Sequence, residues 1–370
     1  MQLLLNVDQR LIQESATQLY RDLGGIARLR ALRDGNWSQG FSTTLWQTMG
    51  ELGWHGLTVP EAAGGAGLGL AELATILEEA GKTLAPEPLT ATLMAVAALA
   101  ASGDSHHAVL GKIADGSALA TVAYQEVGTR YDVGRCGTVA TVDGDGVRIT
   151  GEKTHVLAGA QADVLIVSAI LGDEDTPSLW CVPSDAVETT SQQRIDSHPV
   201  AIVRLDGVRV PMSARVGDVA LLQRVVDAGT IGLCAEMLGG MQQALHDTLS
   251  YLNEREQFGV PIASFQALRH RAAIAYTEVE LTRSTVMAAA RMWDDSRIPD
   301  AQKQRAVSLA KARASDAFIQ VTNEGVQMHG GVGMTDEYDI GLYMKRARVC
   351  AQMFGDAAWH RDRWATLGGY

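Results

Sequence analysis

Cysteine is scarce in this sequence, and basic residues are outnumbered by acidic ones. Only four cysteines occur in 370 residues (Cys136, Cys181, Cys234, Cys350), and they are far apart. No close-spaced metal or redox pair is among them, so they read as reduced core thiols of a cytoplasmic protein. Lys and Arg number 31 against 43 Asp and Glu, a formal net charge of −12. That balance argues against a nucleic-acid partner, because phosphate binding needs a basic face. It leaves open a small anion held by a few local donors. No run reaches the ~18 apolar residues that a membrane span needs. The apolar start meets Asp8 and Arg10 too soon for a secretion signal. Also missing are a Gly-rich phosphate loop after a strand, an HExxH or other close metal-ligand set, internal repeats and low-complexity segments.

What is present is the composition of a soluble globular chain: 46% hydrophobic and 20% charged, long enough for two or three domains. Residues 1–117 read as helical. In "GLAELATILEEAGKTLA", Leu70, Leu73, Ile76 and Leu77 fall on one face of a helix. The loop before it is punctuated by Pro60, Gly64, Gly65 and Gly67. Residues 118–215 change texture to short Val/Ile/Thr-rich runs, which predict six or seven strands in a sandwich or barrel. Asp143-Gly144-Asp145-Gly146 between two of these runs predicts a hairpin. Residues 216–370 return to a helical period, with helices expected near 219–256, 264–293, 299–328, 339–353 and 356–366. Helices this long with wide apolar faces predict a bundle. The expected class is α+β: an N-terminal helical domain, a middle β-domain and a C-terminal helical bundle.

One stretch raises a question of chemistry. "REQFGVPIASFQ" interrupts two long helices, and Gly259 and Pro261 explain the break, with Ser264 expected to cap the next helix. They do not explain why Arg255, Phe258 and Gln266 stand together there. Taken singly, Arg255 beside Glu256 is an ordinary solvated helix end, and Phe258 with Phe265 packs a turn. Gln327 before His329-Gly330-Gly331 is an ordinary glycine-closed helix end.

Order and spacing add what single residues lack. "ELGWHGLTVPEAAGGAGLGLAELATILEEAGKTLAPEP", "GEKTHVLAGAQADVLIVSA", "YLNEREQFGVPIASFQALRHRAA" and "VQMHGGVGMTDEYDIGLYMKRARV" together resemble the acyl-CoA dehydrogenase family over nearly the whole chain. The resemblance implies an N-terminal helical domain, a β-domain and a four-helix bundle. It also implies FAD as cofactor, α,β-dehydrogenation of an acyl-CoA thioester, a tetramer, and an electron-transfer flavoprotein or similar acceptor. It further implies a cofactor lying across a subunit interface. Arg255 then reaches the pyrophosphate of a neighbouring subunit's FAD, where a guanidinium suits the charge. Phe258 and Gln266 match residues lining the adenosine half, and Gln327, Gly330 and Gly331 match a segment that the cofactor approaches closely.

The same resemblance exposes departures. The reaction needs a base for the α-proton, normally a glutamate at one of two places. Aligned without gaps, the first place holds Phe354, followed by Gly355 and Asp356, and the second holds Gly229, followed by Thr230. Neither Phe354 nor Gly229 can take a proton. The flavin-side loop reads "QEVGTRYD", with Gln125 for the usual threonine and Tyr131 for the usual serine. His155 stands where an aromatic commonly backs the flavin ring, and Leu157 where a threonine is usual. One reading is the base-lacking chain of an α2β2 enzyme, supported by a tail, "FGDAAWHRDRWATLG", like those of heteromeric bacterial steroid-degrading members. A second is a homotetramer with a relocated base at Asp227, Glu236 or Asp356. Asp356 is equally a helix cap and Glu236 an ion-pair member. A silent scaffold, and an oxidase or monooxygenase on the same fold, are the remaining alternatives.

Overall fold

A computed structural model of the chain describes residues 4–35 and 40–370. The first helices are α1 (Val7–Asp22), α2 (Ala27–Asp34) and α3 (Thr43–Glu51), then α4 (Leu70–Lys82), α5 (Leu89–Ala100) and α6 (His107–Ala114). Strands follow: β1 (Ala120–Ala123), β2 (Val139–Asp143), β3 (Gly146–Leu157) and β4 (Val164–Leu171). Next come β5 (Ser178–Pro183), β6 (Glu188–Gln193), β7 (Pro199–Pro211) and β8 (Arg215–Gly217). Helix α7 (Val219–Glu254) leads to a small hairpin of β9 (Glu256–Gln257) and β10 (Val260–Pro261). The chain ends with α8 (Gln266–Asp294), α9 (Asp300–His329), α10 (Ile340–Gln352) and α11 (Ala357–Leu367). The expected order of helices, strands and helices is present.

The chain divides into two compact units. One comprises Met1–Ala31, Leu70–Ala85 and Thr230–Tyr370, and the other Leu32–Gly69 and Pro86–Gly229. In the first unit α8, α10 and α11 all pack on α9, while α1 packs on α4 and α4 on α8. Helix α9 takes the centre because its inward positions are small or compact: Ala310, Ala314, Ala317, Val321 and Gly325 are all buried. Helices α4 and α7 meet backbone to backbone. A Cβ added at Gly81 would run into the Glu236 carbonyl oxygen, and one added at Gly239 into that of Glu78. Only glycine permits that approach. The expected inward face of α4 (Leu70, Leu73, Ile76, Leu77) is fully buried.

The second unit is built on an eight-stranded mixed sheet in the order β6-β7-β3-β2-β4-β5-β8, with β1 added on β4. The Gly144-Asp145 turn joins β2 to β3 with Asp143 opposite Gly146, as the sequence predicts. Alternation along β3 puts Val147 and Ile149 inward and Arg148 and Thr150 outward. Trp180, Leu165, Val167 and Val203 close the same core, all at 0% exposure. Each such side chain contributes about 1.5–3 kcal/mol of burial. Two pairings, β1 with β4 and β2 with β4, are parallel, and β4 is thereby central. Of the four free cysteines, Cys234 and Cys350 are buried as expected, whereas Cys136 and Cys181 are only half-buried. Among the described residues no helix is long and apolar enough to cross a membrane.

Candidate functional site

In the first unit, the break after α7 is a hairpin. Gln257 pairs with Val260, leaving Phe258 and Gly259 as a two-residue loop. Both have positive φ, +55° and +80°, the combination of a type I′ turn. The helix therefore stops at Glu254, several residues before the glycine and proline expected to end it. Ser264 is not the cap of the next helix either. It ends a short 3-10 turn, and α8 starts behind Phe265, whose side chain caps nothing. Two carbonyls of this turn are held otherwise, one by a backbone and one by a side-chain donor: Ile262 N–H donates to Arg255 O at 2.8 Å, and the Arg269 guanidinium to Ala263 O at 2.7 Å.

Phe258 is unusual in this setting. A left-handed φ costs a residue with a Cβ about 1–2 kcal/mol, yet this ring is 92% exposed. Among the described residues its aromatic neighbour is Phe265, edge-on at 6.1 Å. Arg255 is exposed, and its guanidinium has no ion-pair or hydrogen-bond partner among the described residues. Gln266, Gln327, Gly330 and Gly331 are exposed as well. Gly330 ends α9 at φ +66° and ψ −141°, a conformation essentially reserved for glycine. At Gly331 an added Cβ would meet no atom within 4 Å. All six residues singled out from the sequence for cofactor binding thus lie on the surface of this unit.

In the second unit, the loop and strand expected on the flavin side are tied together. Thr154 N–H donates to Gln125 O at 2.8 Å. The β3–β7 register slips between Lys153 and Val156, and His155 within that bulge is exposed at φ +54°. Sequence reasoning missed the group that fixes this arrangement. Lys153, 0% exposed, donates to Glu126 at 2.6 Å and to Ser168 Oγ at 2.9 Å. Glu126 also accepts from the Thr138 hydroxyl (2.7 Å) and from the N–H groups of Gly137 (2.6 Å) and Thr138 (3.0 Å). Burial works to raise the Glu126 carboxyl, but Lys153 and these donors outweigh it and hold it at about 2. The one available signal was a lysine at an inward position of an alternating strand.

Phe354 and Gly229, the two residues that the family resemblance aligns with the base, both stand in closed surroundings. Phe354 is 6% exposed at φ +58°. Its carbonyl faces His360 Nε2 at 3.2 Å, and Lys311 Nζ donates to Gly355 O at 2.7 Å. Burial, with Lys311 and Arg363 adding, lowers the His360 imidazole to about 3, so the ring is neutral. Nε2 then donates to Phe354 O, and Nδ1 accepts from the Ser308 hydroxyl at 3.2 Å. Burial likewise lowers Lys311 to about 8. At Gly229 an added Cβ would lie 2.6 Å from Cγ and Sδ of Met94, a fully buried side chain.

The three substitute carboxylates are each engaged. Asp356 accepts from Trp359 N–H at 2.9 Å as the N-cap of α11. Glu236 pairs with Arg346 at 2.7 Å, both largely buried. Asp227, 1% exposed, accepts from Gln223 Nε2 at 3.3 Å. Burial, together with the charge of Asp227, pushes the Tyr124 phenol well up. Among the described residues no group of three or more His, Cys, Asp or Glu is arranged to hold a metal ion.

Family models for the acyl-CoA dehydrogenase N-terminal and C-terminal domains match residues 7–117 and 219–366. The acyl-CoA dehydrogenase IpdE2 of Mycolicibacterium smegmatis is 30% identical over 352 residues, covering 95% of this chain and 96% of its own. Two solved structures are also similar. The Tcur3481–Tcur3483 steroid ACAD variant is 34% identical with a TM-score of 0.88, covering 98% of this chain and 97% of that one. The ChsE4–ChsE5 complex from Mycobacterium tuberculosis is 26% identical with a TM-score of 0.89, covering 100% and 99%. The chain belongs to the acyl-CoA dehydrogenase family, FAD-dependent oxidoreductases acting on CH–CH bonds.

The residues present fit that cofactor. An exposed guanidinium suits a pyrophosphate, an uncovered aromatic suits the adenosine half, and an open glycine surface admits a closely approaching ligand.

Proposed function

We propose that this chain is the base-lacking subunit of a heteromeric acyl-CoA dehydrogenase. In this reading it lends Arg255, Phe258, Gln266, Gln327, Gly330 and Gly331 to an FAD shared with a second, homologous subunit that supplies the catalytic carboxylate. The observation carrying it is a contrast. The six proposed cofactor residues stand exposed, with Phe258 strained and uncovered, while Phe354 and Gly229, which the family resemblance aligns with the base, cannot accept a proton. A strained, exposed phenylalanine supports this reading, because backbone strain clusters at ligand-binding sites.

Bound FAD would supply the hydride acceptor for the substrate β-carbon. This chain's residues bind and orient: Arg255 neutralises pyrophosphate charge, Phe258 and Gln266 hold the adenosine half, and the Gln327–Gly331 segment provides backbone that the cofactor can approach. The α-proton goes to the partner's carboxylate. A bulky, steroid-derived acyl-CoA is the proposed substrate class, supported by the similarity to a solved steroid ACAD pair. An electron-transfer flavoprotein or similar acceptor is the proposed electron partner, and the cytoplasm the proposed location. A silent scaffold has no use for the exposed cofactor face, which disfavours that reading.

The test is turnover of the assembled enzyme with Asp227→Asn, Glu236→Gln or Asp356→Asn in this chain. Each is expected to keep turnover within a few-fold of the parent. A loss of several orders of magnitude at one of them, with native mass unchanged, would identify that residue as the base and refute the partner model.

A further inference from the structure

Arg255 and the Gln327–Gly331 segment belong to the ends of different helices, and three aromatic rings join those ends. Tyr251, in the last turn of α7, stacks on His329, the last residue of α9, with centroids 4.4 Å apart and planes 20° apart. Tyr338 meets both rings edge-on, at 5.7 Å from Tyr251 and 5.5 Å from His329. The hydroxyl of Tyr251 donates to the His329 carbonyl at 3.2 Å, satisfying a group that the end of α9 would otherwise leave open. His329 is 5% exposed, and its Nδ1 lies 2.8 Å from Gly325 O. Since a carbonyl only accepts, Nδ1 carries the proton, and the ring is fixed in one orientation. On the other side, Arg255 N–H donates to Tyr251 O at 2.9 Å.

We infer that Tyr251 and His329 are positioning residues that hold the two halves of the cofactor-binding face at a fixed separation. The inference rests on the reading of that face given under Proposed function. Neither residue is exposed as Arg255 and Gln327 are, so neither is placed against the cofactor itself. Their role is geometric. A cofactor gripped at two points gains from both only when the points keep their distance, because a shift of about an ångström is enough to lose one of them. The stack supplies rigidity, and the Tyr251 hydroxyl adds a hydrogen bond from α7 to the end of α9.

The experiment is a set of double-mutant cycles read as FAD dissociation constants on the assembled, flavin-loaded protein, with native mass and the melting midpoint of the flavin-free protein as controls. Tyr251→Phe keeps the ring and removes only the hydroxyl. It is expected to weaken FAD binding roughly three- to tenfold, the effect of one neutral hydrogen bond, with mass unchanged and the flavin-free melting midpoint lowered only slightly. In a Gln327→Ala or Arg255→Ala background the same change is expected to have a much smaller effect, since one grip is already gone. His329→Phe, which keeps a ring and loses the Nδ1 bond, should behave alike. Unchanged affinity in Tyr251→Phe, or losses that simply add to those of Gln327→Ala and Arg255→Ala, overturns the inference while leaving the reading of the face intact. An Arg255→Ala variant that binds FAD normally removes that reading and this inference together.

Discussion

Replacing Arg255 with alanine is expected to lower FAD affinity of the assembled enzyme by roughly ten- to hundredfold. The estimate follows from the worth of a hydrogen bond to a charged group, about 1.5–3 kcal/mol. Its basis is that the guanidinium stands exposed beside the hairpin, with no ion-pair or hydrogen-bond partner among the described residues to lose. The fold should therefore be indifferent, and melting of the flavin-free protein should not move. Arg255→Lys is expected to fall between, because an ammonium keeps the charge but not the planar fork. Flavin-to-protein absorbance after gel filtration, followed by titration of the stripped protein with FAD, measures the effect. Parent-like occupancy in Arg255→Ala would remove Arg255 from the site.

The second large effect is expected in the other unit, on stability. Lys153 is wholly buried, and its partner Glu126 gathers two backbone N–H groups and a hydroxyl as well. Removing one member of such a pair strands the other, at a cost of about 3–5 kcal/mol. Lys153→Met should therefore lower the urea midpoint sharply. Adding Glu126→Leu should recover part of the loss, because the stranded charge goes. Recovery stays incomplete, since the N–H groups of Gly137 and Thr138 lose their acceptor. The pair also sets an acid limit. The Glu126 carboxyl is depressed from about 4.5 to about 2, so its contribution is fully present above about pH 4.5 and is lost as pH falls through about 2. A Lys153→Met protein with parent-like stability would contradict this account.

Much of the fold was legible because it follows from local periodicity and turn chemistry. The apolar face of α4 and the Gly144-Asp145 turn depend on residues within one element or one hairpin. The parallel pairings of β1 and β2 with β4 were not legible, because a strand's partner is set by topology and not by its own alternation. Glu126 and Lys153 stand 27 positions apart and meet only once the sheet forms. Tyr251 and His329 are 78 apart.

The candidate site divides along the same line. Its residue types come from motifs: Arg255, Phe258, Gln266, Gln327 and the glycine pair are candidates by resemblance, as is the alignment of Phe354 and Gly229 with the base. The geometry could not. The hairpin at 256–261, the left-handed φ of Phe258 and the failure of Ser264 to cap α8 come from how the turn closes on Arg255 O. The ordinary roles of Asp356 as a cap and Glu236 as an ion-pair member were foreseen as alternatives, and both are what the folded chain contains.

The most direct test of the central claim is made on this chain expressed alone: native mass together with the flavin-to-protein absorbance ratio, followed by an acyl-CoA oxidation assay. The account predicts little bound flavin and no turnover, with both restored on combining the chain with a homologous subunit that carries the glutamate. A homotetramer holding one FAD per chain and oxidising acyl-CoA unaided would contradict it.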